Sequence, residues 1–545
     1  MKREGISRRR FLEVTMAGAA TAALAGTHLR RTSADACEEG QAEEAQQILA
    51  ASGVQGGIAV HVGCGDGALT AALGEDPRFL VHGLDTNPAR VSATRALLHG
   101  RGVYGPVSAE AFDGRELPYA SNSVNLLAAE KLGEVSMEEV RRVLAPGGVA
   151  CVREGGAWRK KIVQPWPEEI DEWTHFLHDA DGNAVASDSR VAPPQRLQWM
   201  AGPRWARSHE IPTSVNAVVS AQGRVFMIFD EGPTGVYRKL PWDAHLIARD
   251  AFNGKLLWKV PMRDWQPELG VEHGRGDRWQ MHHTIPRRLI AQGDRVYVTL
   301  TFLDSPVSVL DAATGEILVE ALAGTEGTDE MLLEDGVLIA KIPQVLSHGA
   351  TARFGRDVPH DSLVAVDVST GEQLWRKERV RMIPYALSAA EGKVVYHDLE
   401  ELVGLELRSG EECWRSPDKV GVTLGARSTL LLSGGLALFH GHLRVNEEEQ
   451  LYLRAFSLDD GERLWKREGG LGQAGAATQP TDLFVINGVV WCNGSLEGYD
   501  AHTGEVAQTV SVGELISPGH HYRCHRSKAT ERFLSGRDLD YPAGV

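Results

Sequence analysis

Gly63, Gly65 and Gly67 are the first residues in this chain whose spacing suggests chemistry. They stand in the run Val60-His-Val-Gly63-Cys-Gly65-Asp-Gly67, after an apolar segment and before a helix-compatible one. Glycine lets the backbone turn tightly and approach a ligand at the start of the following helix. About twenty residues on, Val81-His-Gly-Leu-Asp85 reads as a second strand ending in an acid, placed to bind ribose hydroxyls. Two histidine clusters, His282-His283 and His520-His521-Tyr-Arg-Cys524-His525, bring metal-ligand types within reach of each other. Adjacent strand residues point to opposite faces, so both clusters are assigned to structure and no metal is expected. The six cysteines have no paired spacing and predict neither a disulfide framework nor a zinc site.

These residues need elements to hold them. From Ile58 to about Val152 apolar strands alternate with helical stretches, as in an α/β unit, and an acidic helix-compatible segment, Glu38–Ala51, precedes them. Trp166–Trp205 is rich in Trp, His and Pro and reads as a connector with little regular structure. Beyond Val215 the chain becomes short β-rich runs punctuated by glycine. With 545 residues, 43% hydrophobic and 24% charged, a soluble multidomain protein is expected. The divisions are a leader over 1–36, an α/β domain over 40–163, a connector over 164–205 and an all-β domain over 206–545. A net charge of −16 argues against a nucleic-acid partner, because phosphate binding needs clustered Lys and Arg.

An internal repeat decides the all-β part. Asp250-Ala-Phe-Asn-Gly254-Lys-Leu-Leu-Trp258 recurs around Gly315, Gly371, Gly410, Gly461 and Gly504, at spacings of 61, 56, 39, 51 and 43 residues. Those spacings suit one four-stranded blade plus variable loops. The glycine can take positive φ at a hairpin, and the acid can accept loop amides. The Trp offers a large apolar face and one N–H, suited to docking between neighbouring blades. Two repeats carry Val319 and Gln508 instead of Trp, so those interfaces must pack differently.

The repeat resembles that of pyrroloquinoline-quinone (PQQ)-like β-propellers, over roughly 199–536. The resemblance implies about seven to eight blades. His520 opens a blade with only about twenty residues left, so the last blade is expected to be incomplete. Quinoprotein dehydrogenases hold PQQ with a calcium site, a catalytic Asp and often a vicinal disulfide. No adjacent cysteine pair occurs here and no such Asp is assigned, so a PQQ-free scaffold is expected, as in the outer-membrane assembly lipoproteins with the same repeats.

The α/β segment continues with Phe112-Asp113-Gly, then Ser123-Val-Asn125-Leu-Leu127, then Glu138 to Gly148 leading into Val149–Val152. Order and spacing resemble the class I S-adenosylmethionine-dependent methyltransferases, whose domain is Rossmann-like. By that resemblance Gly63, Gly65 and Gly67 shape the methionine pocket, Asp85 holds the ribose and Asp113 faces the adenine amino group. The family usually has an acid where this chain has His61, and an Asp where it has Asn125. No catalytic residue is assigned, since methyl transfer is mostly positioning of an acceptor in line with the sulfonium. The methyl acceptor, or an envelope protein or ligand, is the expected partner.

Residues 1–36 carry net charge +4 against −20 for the remainder. Within them Ser7-Arg8-Arg9-Arg10-Phe11-Leu12 resembles the twin-arginine export signal. The Val14–Gly26 stretch is too short and weakly apolar to span a bilayer, and Ala34-Asp35-Ala36 forms a cleavage site. Export to the periplasm or cell envelope is expected, with no transmembrane helix in the mature chain.

Overall fold

The computed structural model describes residues 33–191, 197–203, 206–207, 214–234, 241–265, 285–344, 360–383, 386–417, 428–445, 448–468, 482–492, 497–509, 528–531, 534–535 and 540–541. The twin-arginine segment and both histidine clusters lie outside these residues.

A helix, α1 (Ser33–Ser52), leads into the α/β unit, and the expected cleavage site falls in its first turn. The unit then runs β1 (Gly57–Val62), α2 (Ala68–Leu73), β2 (Phe79–Asp85), α3 (Pro88–Gly100), β3 (Val107–Ala111), β4 (Val124–Ala129), α4 (Met137–Val143), β5 (Leu144–Glu154) and β6 (Ala157–Val163). The sheet order is β3-β2-β1-β4-β5-β6, with β1 to β5 parallel and β6 antiparallel to β5. Alternation along the strands sends Ala59, Leu126 and Ala128 to one apolar layer with α1, α2 and α3, and Val60, Leu127 and Ala129 to the other with α4. Helix starts are fixed locally. Asn87 accepts from Ala89 N with Pro88 in the first turn, and Ser136 accepts from Glu139 N.

The rest of the described chain forms seven four-stranded sheets, the blades of a β-propeller. Six come from consecutive segments, the first being Val215–Ala221, Arg224–Asp230, Ala244–Asp250 and Leu256–Pro261. Each repeat motif is the outer hairpin of a blade. At Asp250 the carboxylate accepts from Phe252 N and Asn253 N, and Gly254 takes φ 74°. The tryptophans do dock between blades. Trp258, Trp375, Trp414 and Trp465 each donate Nε1–H to the carbonyl of the residue following the acidic position of the next motif (Ser457 in one repeat), at 2.8–3.0 Å. Each also covers that motif's glycine: a Cβ on Gly315 would stand 2.7 Å from Trp258. Gly371 follows the repeat with Val319, and a Cβ there would meet nothing within 4 Å. That interface is packed differently, as its missing Trp requires.

The connector does more than its irregular composition predicts. Trp199 donates to Ala251 O at 2.9 Å and covers Gly254, so it supplies the Trp position ahead of the first repeat. Upstream, residues 173–184 cross the middle of the ring and bind the innermost strand of six blades and then the strand Lys528–Thr530 of the last. The acceptors are Trp173 O for Ser220 N, Thr174 O for Ala291 N, His175 Nε2 for Leu333 N, Ala180 O for Ala389 N and Asp181 O for Leu432 N. Asn183 Oδ1 then accepts from Val485 N, and Ala184 O from Ala529 N. The last sheet draws only three short strands from the C-terminal segment, Lys528–Thr530, Leu534–Ser535 and Asp540–Tyr541. Its fourth is Val185–Ala186 from the connector, paired parallel to Lys528–Thr530. The blade that looked unfinished in sequence is therefore completed from a segment more than 300 residues upstream, which caps an otherwise bare edge.

Candidate functional site

The strand order reverses between β1 and β4, and in open α/β sheets ligands bind outside the carboxyl ends at such a point. The glycine loop sits there. Gly63, Gly65 and Gly67 all have positive φ, at 83°, 58° and 90°, a conformation that side-chain-bearing residues rarely adopt. Their surroundings differ. A Cβ on Gly63 would meet nothing within 4 Å, and one on Gly65 would meet only Gly63 O at 3.9 Å. One on Gly67 would stand 2.7 Å from Thr94 of α3. The first two glycines thus face open space, while the third permits close approach of loop and helix. Thr94 also donates its hydroxyl to Gly65 O at 3.2 Å.

Asp85 is buried at the end of β2, beside that loop. Its Oδ2 accepts from Gly65 N at 3.3 Å and its Oδ1 from Asn87 N at 2.9 Å, while Arg90 stands 3.8 Å away. Asp113 follows β3 and is exposed, its Oδ1 held by Arg115 N and Glu116 N. Those two N–H donors hold its carboxyl below the ordinary value. Phe112 N bonds Asp85 O, so the ends of β2 and β3 adjoin. All five residues singled out in the sequence therefore lie at or just beyond the carboxyl ends of β1, β2 and β3.

His61 is buried on β1, with Nδ1 2.8 Å from Thr70 Oγ1. Burial lowers its pKa to about 4, against the pull of Glu130, Asp85 and Asp66. Burial thus favours the neutral imidazole, and the three carboxylates act on it only through space. Asp66 and Glu130 escaped the sequence reading; Glu130 follows directly on β4, and an acid at the carboxyl end of the strand beside β1 was the available signal. Gly83 was also missed: a Cβ there would stand 2.8 Å from Cys64 in the glycine loop.

Asn125 lies at the opposite end of the sheet, in the seam with the first blade. Its Nδ2 donates to Asp250 Oδ2 at 2.6 Å, while its Oδ1 accepts from Ile58 N at 2.8 Å and from Asn253 Nδ2 at 2.7 Å. Asn253 also donates to Ser123 O, and Lys255 to Pro77 O. A side chain that offers both donor and acceptor suits this seam where a carboxylate would not.

Among the described residues, Glu231, Asp243 and His245 bring ligand-type atoms within 4.8 Å of one another, but Lys259 already pairs with Glu231. No helix among them is long and apolar enough to cross a membrane.

Comparison with known proteins agrees with this architecture. Residues 243–420 and 360–515 match the family model described as outer membrane protein assembly factor BamB, and residues 59–148 match one described as a methyltransferase domain. The two BamB spans overlap and together cover residues 243–515, just over half of the chain, which therefore belongs to the BamB-type PQQ-like repeat family. It carries a methyltransferase-like domain ahead of those repeats. No curated protein matches the chain. Similar solved structures include the cyclase SpnF, at 26% identity and TM-score 0.20, covering 21% of this chain and 47% of that one. The YcgJ protein of Bacillus subtilis is similar at 19% identity and TM-score 0.18, covering 21% and 50%. Geranyl diphosphate C-methyltransferase of Streptomyces coelicolor, solved with Mg2+, geranyl diphosphate and S-adenosyl-L-homocysteine, is similar at 18% identity and TM-score 0.20, covering 21% and 45%. The chain spans about half the length of these proteins.

The cofactor implied by the methyltransferase domain is compatible with the residues present. Open space before Gly63 and Gly65 leaves room for a ligand backbone, and the Asp85 carboxylate is fixed at its rim.

Proposed function

We propose that this chain binds S-adenosylmethionine at the glycine loop and is an exported methyltransferase whose propeller presents or recognises the acceptor. The observation that supports this best is the open Gly63–Gly65 loop with the buried Asp85 beside it, at the strand-order switch. Gly63 and Gly65 would lie against the methionine portion, Asp85 would hold the ribose hydroxyls and Asp113 the adenine amino group. Gly67 supports the loop through Thr94. The cofactor supplies an electrophilic methyl group. Asp66, Asp85 and Glu130 give the site negative charge suited to a sulfonium, so the neutral His61 does not leave it without acids. Calorimetry should show one site per chain for S-adenosylmethionine and S-adenosylhomocysteine, abolished by Asp85→Ala. No heat at millimolar ligand would overturn the reading.

The Asn125 seam favours a second reading, an envelope scaffold in which the α/β domain docks on the propeller without catalysis. Methyl transfer to any acceptor in a cell-envelope extract, lost in Asp85→Ala, would exclude it. Export is tested separately. Replacing Arg8 and Arg9 together by Lys should hold the precursor in the cytoplasm, and export at the parent level would refute a twin-arginine route.

A further inference from the structure

A cavity of about 450 Å³ lies between the two domains. It opens at the amino ends of β1 and β4, on the side where Gly56 and Asn125 sit, whereas the glycine loop follows the carboxyl end of β1. Six strand residues separate the two, roughly 20 Å at 3.3 Å per residue. The volume is within the range of small-molecule sites, about 300–1,000 Å³.

Arg224, at the start of the second strand of the first blade, lines this cavity. A guanidinium carries five N–H donors, and Arg224 is half-buried, so the donors it does not spend on the protein stay open to solvent or a ligand. Here, among the described residues, its one hydrogen bond is a long one, 3.5 Å to Gln222 O, and it has no ion pair. Burial pushes its pKa down, and the carboxylates that counter this, Asp250 and Asp311, act at a distance. Asp250 cannot turn to it cheaply. Its Oδ1 is held by Phe252 N and Asn253 N, and its Oδ2 by Asn125 Nδ2. Beside Arg224, the rings of Trp166 and Phe252 meet edge to face with centroids 5.8 Å apart. Both crowd Gly223, where a Cβ would lie 3.2 Å from Phe252 and 3.3 Å from Trp166. The cavity thus combines a cation with unused donors and an aromatic wall, and its two lining carboxylates are already engaged, Glu172 by Gln222 N at 2.6 Å and Asp250 as above.

We propose that this interdomain cavity binds a small organic anion, a carboxylate or sulfonate on a planar apolar body, with Arg224 holding the anionic group and Trp166 and Phe252 the body. The site is independent of the glycine loop. The probe is 8-anilino-1-naphthalenesulfonate, titrated by fluorescence into the full chain, with neutral N-phenyl-1-naphthylamine as control. One saturable dye site per chain is expected. Arg224→Gln should weaken the sulfonate at least tenfold and leave the neutral dye unchanged, Arg224→Lys should restore part of the loss, and Phe252→Ala should weaken both. Equal sulfonate binding by the parent and Arg224→Gln, with unchanged circular dichroism, would overturn the proposal. A measurement on the unaltered protein avoids any folding defect. Benzenesulfonate should displace the dye at concentrations where benzenesulfonamide does not, and equal displacement by both would also overturn it. Excess S-adenosylmethionine should leave the dye in place, so this test stands apart from that of the methyltransferase reading.

Discussion

His61 and Asn125 stand where the methyltransferase resemblance leads one to expect acids, and each has its own physical reason. His61 is enclosed and pairs with Thr70, so it is held neutral, with a pKa lowered to about 4 by burial. Since that value lies below the ordinary 6.5, the folded chain binds fewer protons than the unfolded chain between pH 6.5 and 4. Stability from this residue is therefore complete above pH 6.5 and lost as the pH falls through 4. Full protonation corresponds to a loss on the order of 3 kcal/mol. His175 and His397 are lowered in the same way and act in the same direction. In His61→Gln the urea midpoint should fall less between pH 7 and pH 5 than in the parent. An unchanged difference would mean that His61 is not buried as a neutral ring.

At the scale of elements, the outer hairpins and the connector strap illustrate what a sequence can and cannot reveal. The six hairpins repeat a glycine at a fixed offset, an acid in five of them and a Trp in four, because the glycine takes positive φ and an acid such as Asp250 caps its own turn. That made the blades legible from spacing alone. Trp414 lies under the next hairpin, with its Nε1–H on Leu458 O at 2.8 Å and Gly461 against its ring. Trp414→Ala should cost about 3–5 kcal/mol in denaturant unfolding, whereas Val319→Ala, at a partly exposed position without that dock, should cost far less. The strap has no repeat and little regular structure, and its role emerges only from six bonds to innermost strands and a seventh to the blade it completes. The boundary expected at residue 206 would remove it together with the closing strand Val185–Ala186. A chain beginning at 164 should retain a cooperative thermal transition, and one beginning at 206 should lose it or aggregate. Equal stability of the two would show the strap to be dispensable.

For the whole molecule, the seam at Asn125 joins two domains that the sequence reading treated separately. Asn125→Asp would set a second carboxylate against Asp250 Oδ2, 2.6 Å from the present nitrogen, and replace a hydrogen bond by repulsion. Calorimetry should then resolve separate transitions for the α/β domain and propeller, and limited proteolysis should cut between them sooner. Asn125→Ala should loosen the seam less than Asp does, because it removes the contact without adding charge.

The sequence by itself determined the two fold classes, the positive-φ glycines of the loop after β1 and the hairpin motifs, because each depends on backbone conformation or on partners a few residues away. Only the tertiary structure decided the ring's closure, the strap, the seam and the Arg224 cavity. Asn183 and Val485 meet across 302 residues, and Asn125 and Asp250 across 125. Neither pair leaves a periodic or local trace in the chain, since the second partner's position is fixed by how the blades and the sheet come to pack.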